Sequence, residues 1–204
     1  MNNYQYIEAM NYNGLVAQRM RHLLNNMDFS KVRTILDIGS WHLNQSLEFM
    51  HIFPNARVYA FEPNPISADL CRQKAASLPF PHNNRVSVVE VALGNTIGEV
   101  SFYPLDTSKT SSINHGMSST LKLKDGMDGA WHNDTWVQKE IKVKANTLDS
   151  WCSENGVIPD LLWVDVQGAE YNLYEGGKHM IKNHVMAILT EVGIVPYYEG
   201  HSVK

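Results

Sequence analysis

Cysteine is scarce in this sequence, and long apolar runs are missing from it. The 204 residues include only two cysteines, Cys71 and Cys152, and their positions match neither a disulfide framework nor a zinc site. No segment approaches the roughly 18 apolar residues of a membrane-spanning helix, and the N-terminus lacks the basic start and apolar run of a signal peptide. We therefore expect a soluble cytoplasmic protein that does not contact a membrane.

An excess of positive charge is also absent. The chain has 17 lysines and arginines against 21 aspartates and glutamates, which gives a formal net charge of -4 and a pI near 6.1. A protein with this balance has no basic field that would attract a phosphate backbone. The nine histidines form neither the His-x-His nor the His-Glu-x-x-His pattern of a metal site. We expect neither a nucleic-acid partner nor a required metal ion.

The length and composition suit one domain over residues 1–204. A hydrophobic content of 44% is enough to fill a core of ordinary size. Residues 1–30 are expected to form an N-terminal helical element, because apolar residues recur at spacings of three and four between residues 15 and 27. Residues 104–135 are rich in Ser, Thr, Asn, His, Asp and Gly, which predicts a long loop or insertion.

Short apolar runs alternate with helical patterns along the rest of the chain. Predicted strands cover residues 34–39, 57–62, 86–91, 99–103, 137–145, 161–166 and 186–192. Predicted helices cover residues 15–27, a segment ending before Pro54, residues 66–77, residues 147–155 and a segment after residues 168–170 that carries Leu173, Met180 and Ile181. The strand at 99–103 follows a turn at 95–98 and is expected to return as an antiparallel neighbour of the strand before it. This alternation predicts an α/β fold with a doubly wound, mostly parallel sheet.

Three of the predicted strands have an acidic residue at or near their carboxyl end, namely Asp37, Glu62 and Asp165. In an open parallel sheet the ligand lies beyond the carboxyl ends of the strands, so these side chains should gather in one cleft. Gly39 has no Cβ and lets the backbone approach a ligand closely. Glu62 follows the second strand, where a carboxylate can accept hydrogen bonds from both ribose hydroxyls of an adenosine cofactor. The alternative is that Asp37 and Glu62 merely end strands and cap the following helices.

The first loop lacks the repeated glycines of a dinucleotide site. Residues 40–44 contain no glycine, although a pyrophosphate needs the close backbone amides that such glycines provide. This absence favours S-adenosylmethionine, which has no phosphate and whose cationic sulfonium is stabilised by a carboxylate-rich cleft. The predicted cofactor-binding residues are Asp37, Gly39, Ser40, Glu62, Pro63, Val91 and Ala92. Within this set, Asp37 either orients the loop or holds the methionine ammonium through water, and backbone groups near Val91 and Ala92 border the adenine.

Four segments together resemble the FkbM family of S-adenosylmethionine-dependent methyltransferases. They are AspIleGlySer at 37–40, PheGluProAsn at 61–64, AsnThrLeuAspSerTrp at 146–151 and AspValGlnGlyAlaGlu at 165–170. The resemblance runs from about residue 34 to residue 199. Its most specific part is the last two segments, because the first two would fit many Rossmann-like methyltransferases. The resemblance implies a Rossmann-like class I methyltransferase fold and O-methylation of a hydroxyl on a sugar, a polyketide or a similar small metabolite.

Two features depart from the family pattern. The usual second glycine of the first loop is absent, and the chain ends soon after the strand near Val192, where many relatives continue with a helix and closing strands. The sheet is therefore expected to lack its final antiparallel edge strands and to expose an edge to pairing or to homodimer formation. This keeps open an alternative function, a non-catalytic Rossmann-like domain that acts through protein association. A nicotinamide-dependent oxidoreductase is the third hypothesis.

Methyl transfer to an oxygen requires a group that accepts the hydroxyl proton. Asp165, at a strand end beside the cofactor, is the first catalytic candidate, and Glu191, at the end of the next strand, is the second. A turn carboxylate near a helix N-terminus is the structural alternative for Asp165. His115 and His132 in the long loop are weaker candidates, because loop histidines are usually exposed to solvent. Four aromatic residues stand in or after the loop: Trp131, Trp136, Tyr197 and Tyr198. They either stack on a sugar acceptor or pack in the core.

Overall fold

The computed structural model describes residues 14–24, 28–110, 115–125, 136–193 and 195–201. Its strands are β1 (Thr34–Ile38), β2 (Arg57–Phe61), β3 (Val86–Val89), β4 (Ala92–Gly94), β5 (Gly98–Phe102), β6 (Ile141–Thr147), β7 (Leu161–Val164) and β8 (Ala187–Thr190). Its α-helices are α1 (Leu15–Leu24), α2 (Asn44–Ile52), α3 (Pro65–Ala76), α4 (Leu148–Asn155), α5 (Glu170–Gly176) and α6 (Lys178–Asn183). Short 3-10 turns occupy Phe29–Lys31, His82–Asn84 and His115–Met117. None of the helices in these ranges is long and apolar enough to cross a membrane.

Five parallel strands form the central sheet in the order β3-β2-β1-β7-β8. The chain builds outward from β1 through β2 to β3, and it then returns to the other side of β1 with β7 and β8. This reversal is the doubly wound arrangement that the alternation of strands and helices predicted. It opens a crevice at the carboxyl ends of β1 and β7, where such folds bind their ligands. The predicted fold class is therefore confirmed.

Helices cover both faces of the central sheet, so its inner strands are apolar on both sides. On one face, Ile35 of β1 and Trp163 of β7 pack with α1, α2 and α3. On the other face, Leu36 of β1 and Leu162 of β7 pack with α4, α5 and α6. Adjacent residues of one strand thus belong to different clusters. This is the reason that β7 is a continuous apolar run and that Ile35 and Leu36 are both apolar in β1, without the alternation of a half-exposed strand.

A second, three-stranded sheet has the order β4-β6-β5, with β4 parallel and β5 antiparallel to β6. The sequence predicted an antiparallel strand at 99–103 that pairs with the strand before it in the chain. The observed strand β5 is antiparallel but pairs with β6, so the predicted partner was wrong. The predicted strand at 86–91 also divides, because the chain turns there with a hydrogen bond of 3.0 Å from Val91 N to Val89 O. The run contains neither glycine nor proline, so no residue in it indicated a turn.

The single helix predicted after residues 168–170 is two helices, α5 and α6, with Gly177 between them. A Cβ on Gly177 would lie 2.6 Å from Leu148 Cδ2. The chain therefore bends at the point where both helices pack closely on α4. At the other end of the chain, the predicted helix over 15–27 is observed as α1, and residues 25–27 lie outside the described ranges.

The outer edge of β8 pairs with no other strand of the described ranges. Ile188 in β8 is 39% exposed, and Val192, just after the strand, is 74% exposed. An apolar strip therefore lies beside this edge. The homodimer that the sequence led us to expect at this edge stays a prediction.

Gly176 is expected to tolerate no side chain. A Cβ at this position would lie 1.9 Å from the Gly94 carbonyl oxygen, where α5 packs on β4. Gly176→Ala should lower the free energy of unfolding by about 3 kcal/mol, because overpacking displaces the backbone. Gly94→Ala is the matched control, since the nearest atom to its Cβ would be Asn172 Cβ at 4.0 Å, and it should cost less than about 1 kcal/mol. Urea unfolding measures both values, and equal losses would contradict the close packing of α5 on β4.

Candidate active site

A cleft of about 600 Å³, part of it open to solvent, lies beyond the carboxyl ends of β1, β2 and β7. Most of the predicted site residues line it: Gly39, Glu62, Pro63, Val91, Ala92 and Asp165. The predicted residues that do not line it are Asp37, Ser40 and Glu191. The cleft is the crevice created by the reversal of winding beside β1.

Gly39 determines how closely the first loop approaches β7. Its φ is 88°, a left-handed conformation that favours glycine, and a Cβ there would lie 1.9 Å from the Asp165 carbonyl oxygen. The N–H groups of Gly39 and Ser40 both donate to the Phe61 carbonyl oxygen at 3.0 Å. The loop is therefore fixed to the ends of both neighbouring strands, and a residue with a Cβ does not fit at position 39.

Glu62 lies buried just after β2, with both carboxylate oxygens oriented by the backbone. Oε2 accepts a hydrogen bond from Trp41 N and Oε1 accepts one from Asn64 N, each at 2.9 Å. A carboxylate oxygen can accept more than one hydrogen bond, so this carboxylate can also receive two vicinal hydroxyl groups. Burial raises the pKa of Glu62 to about 7, although the two backbone hydrogen bonds oppose the rise.

Two non-glycine residues of the first loop, Trp41 and Leu43, have positive φ values of 46° and 64°. Such conformations cost free energy for a residue with a Cβ, and they persist where the surrounding structure fixes them. The Trp41 N–H is held by Glu62, and Lys74 Nζ donates to the His42 carbonyl oxygen at 3.0 Å. Trp41 itself lines the cleft. The sequence did not indicate this residue, because nothing in its spacing distinguishes it from a core tryptophan.

Asp37 and Ser40 lie behind the wall of the cleft, and both are fully buried. Asp37 Oδ2 accepts a hydrogen bond from Ser46 Oγ of α2. Burial raises the pKa of Asp37 to about 7, and the negative charge of Asp165 adds to the rise. This position favours the loop-orienting role of Asp37 over direct contact with a ligand. The cofactor contacts of Asp37 and Ser40 stay predictions.

Asp165 lines the cleft directly after β7. Its N–H donates to the Ile38 carbonyl oxygen at 2.9 Å, and its Oδ1 accepts a hydrogen bond from Gln167 Nε2 at 2.5 Å. Burial raises the pKa of Asp165 to about 6, and the negative charge of Glu191 adds to the rise. The carboxyl group is therefore mostly ionised at neutral pH, which is the state that accepts a proton.

Glu191, the second catalytic candidate, lies just after β8 and outside this cleft. It lines a neighbouring cleft of about 1070 Å³, partly open to solvent, together with Glu170, Tyr171 and His201. The side chain is exposed. Its negative charge raises the pKa of Asp165, but Glu191 does not line the cleft that Asp165 lines. Its catalytic role stays a prediction.

A part of the long loop forms one wall of the first cleft. Gly116 and Ser119 line it, and the Ser119 carbonyl oxygen accepts a hydrogen bond from Tyr103 N at 2.8 Å. Ser119 Oγ donates to the Val166 carbonyl oxygen at 3.3 Å, which ties the loop to the segment after β7. The sequence predicted a loop over 104–135 but did not single out Gly116 or Ser119, because the spacing of the serines and glycines has no distinctive pattern.

The remaining candidates in and after the long loop either lie outside the described structure or pack away from the cleft. His132, Trp131 and the side chain of His115 lie outside the part that the structure describes. Trp136 and Tyr198 are buried in a small apolar cluster, as the packing alternative requires. Within the described ranges, no group of three or more His, Cys, Asp or Glu side chains could hold a metal ion.

The pKa of Asp37 links the stability of the fold to pH. Because the folded protein binds this proton more tightly than the unfolded chain, the free energy of unfolding falls as the pH rises between about 4 and 7. Glu62 and Asp165 act in the same direction. Asp37→Asn keeps the shape of the side chain and removes its titration. As the pH rises, the free energy of unfolding of this variant should therefore fall by less than that of wild type, with a difference on the order of 3 kcal/mol. Urea unfolding of wild type and variant near pH 5 and near pH 8 measures the difference.

Glu99→Gln is the control for this comparison, because Glu99 is an exposed carboxyl group in β5. It should leave the pH dependence unchanged. Only the change of the free energy of unfolding with pH is compared, because the buried amide of Asp37→Asn also lowers that free energy at every pH. A fall as steep in Asp37→Asn as in wild type would show that another group is responsible.

Known proteins provide an independent comparison. A family model described as the methyltransferase FkbM domain matches residues 34–203. The 2-O-methyltransferase NoeI of Sinorhizobium fredii (strain NBRC 101917 / NGR234) is 31% identical over 169 residues, which are 81% of this chain and 65% of NoeI. The chain therefore spans just under two thirds of the length of that relative.

Solved structures resemble the chain only weakly. The O-methyltransferase segment of StiE, residues 942–1257, gives a TM-score of 0.31 at 16% identity and covers 46% of each chain. The O-methyltransferase from the trans-AT PKS multienzyme of Brevibacillus brevis, in complex with S-adenosyl-L-homocysteine, gives a TM-score of 0.29 at 16% identity. That match covers 55% of this chain and 53% of the other. Scores this low carry no structural argument. The family match, which extends over most of the sequence, shows that this chain belongs to the FkbM methyltransferase family.

Proposed function

We propose that this chain binds S-adenosylmethionine and methylates a hydroxyl oxygen on a sugar or another small metabolite. The observation that carries the proposal is Glu62, a buried carboxylate that two backbone N–H groups hold in the wall of a cleft. This arrangement suits the paired hydroxyls of a ribose. NoeI is named a 2-O-methyltransferase, and this name supports oxygen as the acceptor atom.

The first loop fits a cofactor without phosphates better than a dinucleotide. The N–H groups of Gly39 and Ser40 donate to the end of β2, and the N–H of Trp41 donates to Glu62. The N–H of Leu43 donates to the Ser40 carbonyl oxygen at 2.8 Å. Donors that already serve the protein cannot cradle a pyrophosphate. This argument disfavours the nicotinamide oxidoreductase.

Asp165 is the proton acceptor in the proposed reaction. Bound S-adenosylmethionine would supply the methyl group, and its positively charged sulfur would keep the electron pair of the broken carbon–sulfur bond and leave as a neutral thioether. As the acceptor oxygen forms its bond to the methyl carbon, the hydroxyl proton passes to the Asp165 carboxylate. The walls of the cleft hold the acceptor in line.

Glu62→Ala should weaken the binding of S-adenosylhomocysteine by roughly 10- to 100-fold, because hydrogen bonds to a charged group contribute about 1.5–3 kcal/mol. Isothermal titration calorimetry measures the change. Adenosine and 2′,3′-dideoxyadenosine test the ribose contact directly. Wild type should prefer adenosine by about tenfold, and Glu62→Ala should bind both nucleosides equally.

Glu48→Ala is the matched control for this experiment. Glu48 also accepts two backbone N–H groups, from Leu15 at 3.3 Å and Val16 at 2.8 Å, but between α2 and α1. Its loss should lower stability and leave ligand affinity unchanged. Unchanged affinity in Glu62→Ala would refute the ribose contact. A wild type that binds none of these ligands would refute the cofactor and favour the alternative of protein association.

Methyl transfer should appear as a mass gain of one methylene unit on a hydroxylated acceptor. Mass spectrometry after incubation with S-adenosylmethionine and a panel of sugars and polyketide-like alcohols detects it. The rate should rise with pH through about 6, because Asp165 must be ionised to accept the proton. Asp165→Asn should lower the rate by about 100-fold. A larger loss in Glu191→Gln would move the role of proton acceptor to Glu191.

A further inference from the structure

A chain of hydrogen bonds leads away from Asp165 through two residues that the proposed reaction does not use. Gln167 Nε2 donates to Asp165 Oδ1 at 2.5 Å. The Tyr198 hydroxyl lies 3.3 Å from Gln167 Oε1 and 3.1 Å from the Met117 carbonyl oxygen. The network therefore connects the cleft carboxylate with the His115–Met117 turn, whose Gly116 lines the cleft.

Gln167 has a conformation that glutamine seldom adopts. Its φ is 54°, and a left-handed conformation costs a residue with a Cβ on the order of 1–3 kcal/mol. The next residue, Gly168, has a φ of 92°, and a Cβ there would lie 2.9 Å from Tyr198 Cδ2. The turn after Asp165 is thus shaped so that the tyrosine ring packs directly on it. This shape brings the Gln167 amide between the carboxylate and the phenol.

Tyr198 is fixed by its surroundings. It is buried in the cluster with Leu123 and Trp136, and its backbone forms a bridge to Leu123. Burial raises the pKa of Tyr198 well above its ordinary value, and the negative charge of Asp165 adds to the rise. The hydroxyl therefore keeps its proton at neutral pH. The ionised Asp165 carboxylate can only accept a hydrogen bond, so it requires the NH2 group of Gln167. The amide oxygen then faces the Tyr198 hydroxyl, whose single proton is shared between Gln167 Oε1 and the Met117 carbonyl oxygen.

We propose that Gln167 and Tyr198 are positioning residues that fix the orientation of the Asp165 carboxylate for proton transfer. The Gln167 amide engages Oδ1, so Oδ2 is the oxygen presented to the acceptor hydroxyl. Tyr198 holds the oxygen end of this amide and couples it to the loop wall of the cleft. The inference rests on the proposed role of Asp165 as proton acceptor.

The charged groups around Asp165 explain why an uncharged hydrogen-bond donor is needed to favour its ionised form. Glu191 after β8 and Glu170 of α5 face Asp165 with negative charge, and Arg19 of α1 faces it with positive charge. The two carboxylates favour the protonated form of Asp165, which cannot accept a proton. The Gln167 hydrogen bond lowers the pKa of Asp165 and so stabilises the ionised form in one orientation.

Gln167→Met and Tyr198→Phe test the network, because each keeps the size of the side chain and removes hydrogen-bonding groups. Carboxyl ¹³C NMR, with the Asp165 signal identified through Asp165→Asn, follows protonation in protein saturated with S-adenosylhomocysteine. The titration midpoint of Asp165 should rise by about one pH unit in Gln167→Met and by less in Tyr198→Phe. With an acceptor that wild type methylates, kcat should fall about tenfold and KM for S-adenosylmethionine should change less than about threefold.

Two substitutions outside the cleft provide matched controls. Gln73 Nε2 donates to Asp69 Oδ2 at 2.8 Å on the exposed side of α3, so Gln73→Met removes the same kind of pair elsewhere. Tyr174→Phe removes an exposed hydroxyl of α5. Neither should move the Asp165 titration, and urea unfolding confirms that every variant is folded.

The outcomes separate this inference from the function on which it rests. An Asp165 midpoint that stays unchanged in both Gln167→Met and Tyr198→Phe would overturn the positioning role. A wild type that does not bind S-adenosylhomocysteine would overturn the proposed function instead. The titration of the ligand-free protein would then still decide whether the network orients Asp165.

Discussion

The contact between the first loop and the end of β7 is the constraint on which the rest of the site depends. A Cβ at Gly39 would lie 1.9 Å from the Asp165 carbonyl oxygen, so the two backbones meet with no side chain between them. β1 and β7 are parallel neighbours where the winding reverses, and their contact forms the base of the cleft. The same contact keeps the first loop against the end of β2, where the Trp41 N–H donates a hydrogen bond to Glu62. Without this contact, Glu62 and Asp165 would not face one cleft.

The site concentrates negative charge where water has little access. Asp37 and Glu62 each have a pKa raised to about 7, and Asp165 has one raised to about 6, chiefly because burial disfavours the charged form. Ionisation of these groups near neutral pH therefore lowers the stability of the ligand-free fold. A ligand that carries positive charge offsets this repulsion and stabilises the ionised carboxylates. The burial of these carboxylates thus explains both why their ionisation destabilises the fold and why the cleft favours a cation.

The sequence predicted the features that depend on short-range pattern. Apolar runs located the strands of the central sheet, and their acidic ends located Asp37, Glu62 and Asp165. Pattern could not separate Asp37, which bonds to Ser46 behind the cleft, from Glu62, which lines it, because both are acidic residues near the carboxyl end of a strand. It also gave no sign of the turn after β3, and the hydrogen bond between Tyr198 and Gln167 joins residues 31 positions apart in the chain. Contacts of that kind depend on tertiary packing, which no local periodicity records.

The first loop has no glycine at Trp41 or Leu43, although both residues have a positive φ, and the contacts of Trp41 show how such a conformation is held. A residue with a Cβ at a φ of 46° costs on the order of 1–2 kcal/mol. Its N–H bond to Glu62, the hydrogen bond from Cys71 Sγ to its carbonyl oxygen at 3.2 Å and the stacking of its ring on His42 at 3.9 Å offset that cost. A glycine would relieve the strain but would remove the indole from a residue that lines the cleft. Apolar surface beside an oriented carboxylate is the composition that an adenosine needs, since the base is apolar and the ribose is polar. The strained backbone of Trp41 is therefore accompanied by an aromatic side chain in the wall of the cleft.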